Sequence, residues 1–403
     1  MKYFFILGKT PLLSFIEIRE LLETSNFKQV SDNVLLTDSL KPFNPNKLQK
    51  RLGGTIKIGK ILGYYKRKEL KTDNFKSKIL DLLSLDGSRI NFGFSFYGNQ
   101  FKNFKRLIKN TALFIKKDIK SKNISCRWVT SKKPYLSSVV VRKNNLLDKG
   151  LDIVITKYNK KLLIGHTLTC QDFEKYSYFD YSKPERPIKK GIIPLKLAKM
   201  MINFGLGNKF DVKKVNLLDP FCGSGTILIS AALLGIKNIY GSDKDKKSII
   251  YTQNNFNWLI RNSNISLNKA KFFRSDVRKI SQNTNQKFNL IVTEPYLGPL
   301  KIKKQDVDQQ INKLSELYLK AFKEFKHILS KKGKIVIIFP VFDFDKRHFL
   351  PILKDLNKMG WKQEFDFSTL SNYKNHLSKR NTLLYFRLNQ EVLREVLIFN
   401  YNK

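Results

Sequence analysis

Apolar and polar positions follow two regimes along this chain, and the change falls near residue 190. Before it, short runs of mixed order appear. "YFFILG" reads as a strand, "PLLSFIEIRELLE" as an amphipathic helix, and "NVLLTD" as another strand. "INFGFSFYG" (90–98) alternates like a strand with one buried face, so Phe92, Phe94 and Phe96 are expected in a core, not on a stacking surface. "FKRLIKNTALFIKKDIKS" is expected as a helix with a basic face, and "SSVVVR", "LDIVITKY" and "KLLIGHTLT" as three further strands. The stretch 171–191 is polar, aromatic and proline-bearing, and reads as a connector.

From residue 192 onward, strands and helices take turns. "KVNLLDP", "NIYGSD", "AKFFRSD", "FNLIVTEP" and "GKIVIIFP" read as strands. Between or beyond them stand the helices "TILISAALLG", "KSIIYTQNNFNWLIRN", "QDVDQQINKLSELYLKAFKEFKHIL" and "FLPILKDLNKMG". "WKQEFDFS" and "NTLLYFRL" are expected to close the domain as an antiparallel hairpin, with "NQEVLREVLIFNYNK" as a packing tail. The alternation implies an α/β fold, a Rossmann-like doubly wound sheet whose ligands sit at the carboxyl ends of its strands. The expected divisions are 1–60 and 61–170 as two small α+β units, 171–191 as linker, 192–390 as the doubly wound domain, and 391–403 as tail.

Composition changes this picture in one respect. The formal net charge is +43 over 403 residues. Such an excess suits a polyanionic partner, because each neutralised phosphate releases counterions. Abundant Lys and Asn with little Arg also indicate compositional bias, which supplies part of the excess. Cys126, Cys170 and Cys222 lie far apart without a C-x-x-C pair, which fits a reducing, cytoplasmic setting and argues against a disulfide frame or a metal site. No apolar run is long enough for a membrane span, and Gly8, Lys9 and Pro11 break the first apolar burst too soon for a signal peptide. His327, His348 and His376 show no metal spacing, and His166 falls within an apparent strand as a structural residue.

The most specific stretch is "LLDPFCGSGTILISAALLG". Asp219 closes a strand, Pro220, Phe221 and Cys222 carry the chain round, Gly223 and Gly225 bracket Ser224, and a helix starts at Thr226. Glycines at such a turn let the backbone approach a ligand and aim helix-start amides at it. The spacing matches neither the dinucleotide fingerprint nor a phosphate loop. An acid four positions before the first Gly suits a zwitterionic amino-acid ligand, such as the methionine part of S-adenosylmethionine. Asp243 and Asp276 end the next two strands, placed for the ribose hydroxyls and the adenine amine of that cofactor.

Glu294 ends the fourth strand in "TEPYLGP". An exocyclic amine is a poor nucleophile because its lone pair is delocalised into the ring. A carboxylate and a backbone carbonyl can accept its N–H bonds while an aromatic ring stacks on the base, and Glu294, Pro295 and Tyr296 fit those roles.

At these residues the chain resembles the THUMP-domain tRNA (guanosine-N2) methyltransferases that modify guanosine 10. "DPFCGSGT" is similar to the cofactor motif of that family. The stretch 171–205 is similar to its approach to the catalytic domain, through Arg186, Pro187, Gly191, Pro194, Lys196, Leu197 and Ala198. The resemblance covers about residues 165–300 well and the amino-terminal part more weakly. It implies a ferredoxin-like unit and a THUMP-like RNA-binding domain before the methyltransferase domain, and methylation of a tRNA guanosine with S-adenosylmethionine. The family reads Asp-Pro-Pro-Tyr-Gly where this chain has Glu294-Pro295-Tyr296-Leu297-Gly298, with Pro295 and Gly298 keeping the frame. Arg186, Lys196 and Gly298 are the candidates for touching RNA. Other readings are an adenine-N6 methyltransferase acting on DNA or RNA, and a non-catalytic tRNA-binding protein that keeps the cofactor site. Whether a small activating subunit takes part is left open by the sequence.

Overall fold

The computed structural model describes residues 2–22, 26–38, 42–83, 89–98, 104–187, 192–208, 211–299, 301–364, 377–386 and 390–401. Gly191 and His376 lie outside them, as does most of "EFDFS" in the expected hairpin. The chain forms two compact units, Met1–Phe15 with Glu23–Lys175, and Ile16–Leu22 with Tyr176–Lys403.

The first unit is built on one mixed sheet. Its described strands are β1 (Lys2–Leu7), β2 (Phe27–Ser31), β3 (Val34–Asp38), β4 (Thr55–Tyr65), β5 (Arg89–Tyr97), β6 (Ser125–Val129), β7 (Gly150–Tyr158) and β8 (Lys161–Cys170). Their order is β2-β3-β1-β4-β8-β7-β5-β6. β4 runs through the boundary expected at residue 60 and pairs with both β1 and β8, so the two expected α+β units share a sheet. The helices of this half are α2 (Pro45–Arg51), α3 (Asp73–Leu80), α4 (Phe104–Ser121) and α5 (Ser138–Lys143), while α1 (Pro11–Leu21) is divided between the two units after Phe15. α4 buries Ile108, Ala112, Ile115 and Ile119, the three-and-four spacing of one helical face, in a cluster with Phe92, Phe94 and Phe96.

"SSVVVR" is the correction in this half. It forms α5, not a strand, because the Ser137 hydroxyl accepts the Val140 N–H and caps a helix start. A capping hydroxyl outweighs the β preference of three valines.

The second unit carries the doubly wound sheet. Its strands are β9 (Asn216–Asp219), β10 (Asn238–Asp243), β11 (Lys269–Arg274), β12 (Phe288–Thr293), β13 (Leu329–Asp343), β14 (Arg347–Phe349), β15 (Trp361–Gln363), β16 (Leu383–Tyr385) and β17 (Val392–Tyr401). The main path runs β11-β10-β9-β12-β13-β17-β15. β9 to β13 pair in parallel, and β17 pairs antiparallel with β13 and β15. The helices are α6 (Phe173–Tyr181), α7 (Leu195–Leu206), α8 (Thr226–Leu233), α9 (Lys246–Arg261), α10 (Val307–Ile328) and α11 (Leu353–Lys358). α6 lies in the stretch expected as a connector. α10 buries Leu314, Tyr318, Phe322 and Phe325 in one cluster with Phe339 and Phe399 of the sheet.

Two expectations change here. "NQEVLREVLIFNYNK" is not a packing tail: Val392–Tyr401 is a strand inside the sheet, buried at seven successive positions from Leu393 to Phe399. Nor do "WKQEFDFS" and "NTLLYFRL" pair with one another among the described residues, since β15 and β16 both pair with β17. An antiparallel strand buried on both faces shows no alternation, so it reads from sequence as a short apolar run of no fixed type. Among the described residues, no helix is long and apolar enough to cross a membrane.

Candidate active site

The strand order reverses between β9 and β12. From β9 the chain winds outward through β10 and β11, and from β12 the other way through β13. A crevice opens at the carboxyl ends of strands at such a reversal. Asp219 ends β9 and Glu294 follows β12 immediately, so both flank that point.

Asp219 is buried. Its Oδ1 accepts the Thr293 hydroxyl at 2.7 Å and the Phe221 N–H at 3.1 Å. Burial pushes its carboxyl up to about 7 despite those donors, and the nearby charges of Asp243 and Glu294 push the same way. A cation beside Asp219 would relieve that cost.

The loop after Asp219 is tightly specified. Cys222 donates its N–H to Ser242 at 2.9 Å, and its buried thiol is raised well above the usual range by desolvation, leaving it inert as a nucleophile. Pro220 is buried and Phe221 half-buried. Gly223 and Gly225 sit at φ +53° and +80°, left-handed backbone that side chains disfavour. A Cβ on Gly225 would also meet Thr252 Cγ2 at 3.2 Å. Ser224 is buried between them, and its carbonyl accepts Asn255 Nδ2 at 2.8 Å. Thr252 donates its hydroxyl to the Gly223 carbonyl at 3.0 Å.

Asp243 ends β10 and turns back on this loop. Its Oδ2 accepts the Gly223 N–H at 3.1 Å and its Oδ1 the Asp245 N–H at 3.0 Å. Asp276 follows β11 and caps the short helix Val277–Asn283 through the Arg278 N–H at 2.9 Å. The Arg278 guanidinium grips both carboxylate oxygens, and that hydrogen bonding holds the Asp276 carboxyl down at about 2.

Glu294 forms an ion pair with Arg394 Nε, a residue the sequence reading left in the tail. β17 brings the arginine there. Arg394 stands opposite Pro340 of β13, and β13 in turn pairs with β12. Pro295 is buried, whereas the Tyr296 side chain is 54% exposed, open to a planar partner. The Tyr296 carbonyl accepts the hydroxyl of buried Tyr318 from α10 at 3.0 Å. Gly298 follows at φ +101°.

The outer candidates fall apart from this cluster. Arg186 packs its guanidinium 5.0 Å over the Tyr181 ring. Lys196 is exposed on α7, with Nζ 5.1 Å over the Tyr176 ring. Sequence reasoning missed Thr293, Tyr318, Asn255, Lys183 and Arg394. For Thr293 the signal was its place beside Glu294 at a strand end; the others act from elements remote in sequence.

A family described as "RMKL-like, methyltransferase domain" matches residues 196–344. Among curated relatives, a tRNA (guanine(10)-N2)-dimethyltransferase of Methanocaldococcus jannaschii is 28% identical over 43% of this chain and 48% of its own length. One from Pyrococcus abyssi is 24% identical over 86% of this chain and 90% of its own. A probable tRNA (guanine(10)-N2)-dimethyltransferase of Methanothermococcus thermolithotrophicus is 32% identical over 31% of this chain and 74% of that relative. The chain therefore spans about half the length of the first of these and most of the second. The crystal structure of TrmN from Thermus thermophilus shares the fold over the whole of both chains, with a TM-score of 0.54 at 12% identity.

Proposed function

This chain belongs to the tRNA (guanine(10)-N2)-dimethyltransferase family, and from that premise we propose that it transfers methyl groups from S-adenosylmethionine to the exocyclic N2 amine of a tRNA guanosine. The observation that carries the reading is Glu294 standing beside an acid-lined, glycine-turned loop at the reversal point of a doubly wound sheet.

The residues present fit the cofactor. A buried carboxylate raised to about 7 is a seat for an ammonium group, and the left-handed turn at Gly223 and Gly225 keeps side chains off the ligand's path. Bound there, S-adenosylmethionine supplies an electrophilic methyl group on its sulfonium. Asp219 and Asp243 would hold its amino acid and ribose parts. Asp276 would reach the adenine amine with a carboxylate it shares with Arg278.

The remaining work is positional. Glu294 and the Pro295 carbonyl accept the amine N–H bonds and turn its lone pair toward the methyl group, while Tyr296 stacks on the flipped base. Arg394 balances the Glu294 charge and fixes its carboxylate, which compensates for a side chain one methylene longer than the Asp of the family motif. Tyr318 holds the loop from beneath. In the first unit, exposed Arg106, Lys109, Lys117 and Lys120 on α4 would dock tRNA phosphates in the manner of a THUMP domain.

The test is transfer of labelled methyl from S-adenosylmethionine to unmodified tRNA, with nucleoside analysis and Glu294→Ala as control. N2-methylated guanosine that vanishes in the variant supports the reading. Methylated adenine, or cofactor binding without transfer to tRNA, would overturn it.

A further inference from the structure

Lys183 precedes the residues matched by the methyltransferase-domain family and lies in the segment between α6 and α7. Its side chain is only 3% exposed. Nζ donates to the hydroxyl of Thr226 at 2.6 Å, and Thr226 is the first residue of α8. An ammonium has three donors. Among the described residues the Thr226 hydroxyl is the hydrogen-bond partner found for Lys183, which leaves two N–H groups buried without one.

The electrostatics of this place are lopsided. The start of a helix presents unpaired N–H groups and a partial positive charge. A buried ammonium beside it adds to that charge; the Asp180 carboxylate offsets it in part, and Arg186 adds to it again. Desolvation holds the Lys183 ammonium down at about 8. Burying a cation at a positive helix end is costly unless an anion completes the site.

The site is also built. Asn255, fully buried, accepts the Glu185 N–H at 2.8 Å and donates Nδ2 to the carbonyls of Glu185 at 2.9 Å and Ser224 at 2.8 Å. One side chain thus ties the segment bearing Lys183 to the loop that begins at Asp219. That loop has a carboxylate seat at its first residue and a cation seat at its last. An α-amino acid carries the matching pair of charges.

We propose that Lys183, with Thr226 and the amides that open α8, binds the α-carboxylate of the amino acid part of the cofactor. The inference rests on the cofactor reading above. Asn255 is a positioning residue in it, acting through the two backbone segments it joins.

The test compares two ligands on the full chain by calorimetry: S-adenosylhomocysteine and its decarboxylated analogue. Charge-assisted hydrogen bonds to a buried carboxylate predict that the wild type prefers the former by about 10- to 100-fold. In Lys183→Met, which keeps the length of the side chain, the preference falls to within about threefold of unity. The affinity for the decarboxylated analogue is expected to stay where it was. Lys183→Arg is expected to retain a preference. If the Met variant does not fold, Lys183→Gln carries the same comparison.

An unchanged preference in the neutral variant overturns the proposal, as does an equal loss for both ligands, which would mark a structural role. Weakened tRNA binding with an unchanged ligand preference would also overturn it and assign the lysine to an RNA phosphate. If the wild type binds neither ligand, the cofactor reading itself fails. If it binds both and only the ratio is indifferent to Lys183, that reading stands and this assignment falls.

Discussion

Arg394 donates its Nε–H to the carboxylate of Glu294, from a strand that follows the acid by 100 residues. The side chains are 11% and 14% exposed, so this is a largely desolvated pair. Removing one partner of such a pair leaves the other uncompensated, at a cost of about 3–5 kcal/mol. Arg394→Met is therefore expected to lower kcat for methyl transfer by about 10- to 100-fold, because the acid loses its fixed position. Cofactor affinity, read by calorimetry, is expected to stay within about threefold. An Arg394 variant with wild-type kcat would show that Glu294 needs no partner.

Tyr318→Phe removes one hydrogen bond and nothing else. The hydroxyl reaches the Tyr296 carbonyl at 3.0 Å from within a buried aromatic cluster. A neutral hydrogen bond contributes about 1 kcal/mol, so a loss of about fivefold in kcat is expected, with little change in melting temperature beyond about 2–4 °C.

Tyr296 separates stacking from hydrogen bonding. Its ring is more than half exposed, and base–aromatic stacking is worth about 1–3 kcal/mol. Tyr296→Ala is expected to reduce kcat/KM for tRNA by about 10- to 100-fold, whereas Tyr296→Phe retains most of it. Equal losses in both variants would assign the role to the hydroxyl.

With Asp219 as the proposed ammonium seat, cofactor binding is expected to depend on pH. Burial raises its carboxyl from 3.8 to about 7, so the ligand-free fold keeps a proton that the unfolded chain releases. The stability from this group is present at low pH and is lost as pH rises through about 7. A bound ammonium favours the ionised acid, so binding expels that proton. The affinity for S-adenosylhomocysteine is expected to rise with pH up to about 7 and to fall above about 8, where Lys183 loses its charge, with proton release on the acid side measurable by calorimetry in buffers of different ionisation enthalpy. Asp219→Asn should bind more weakly and show no such release.

The legible parts of this protein were those that sequence punctuates. Asp219, Asp243 and Glu294 end apolar runs, and Gly223 and Gly225 interrupt one, so local pattern placed them at strand ends. Arg394 carried no such mark. It sits amid a strand buried on both faces, where an arginine reads as chance polarity until the partner acid is seen across the sheet. Lys183 was hidden by company, one lysine among many in a polar stretch, and only burial separates it from its neighbours. "SSVVVR" failed for another reason: the capping serine was legible, but the valines argued louder.

The place of β17 in the sheet also bears on synthesis. As the chain leaves the ribosome, Glu294 and the long strand β13 emerge well before Val392–Tyr401, which must insert between β13 and β15. Until then β13 presents an apolar edge with open backbone groups, the kind of surface that recruits other nascent chains. The same ten-residue strand completes the sheet and delivers the arginine. A chain stalled before it would lack the partner of Glu294 and leave that edge of β13 open to aggregation.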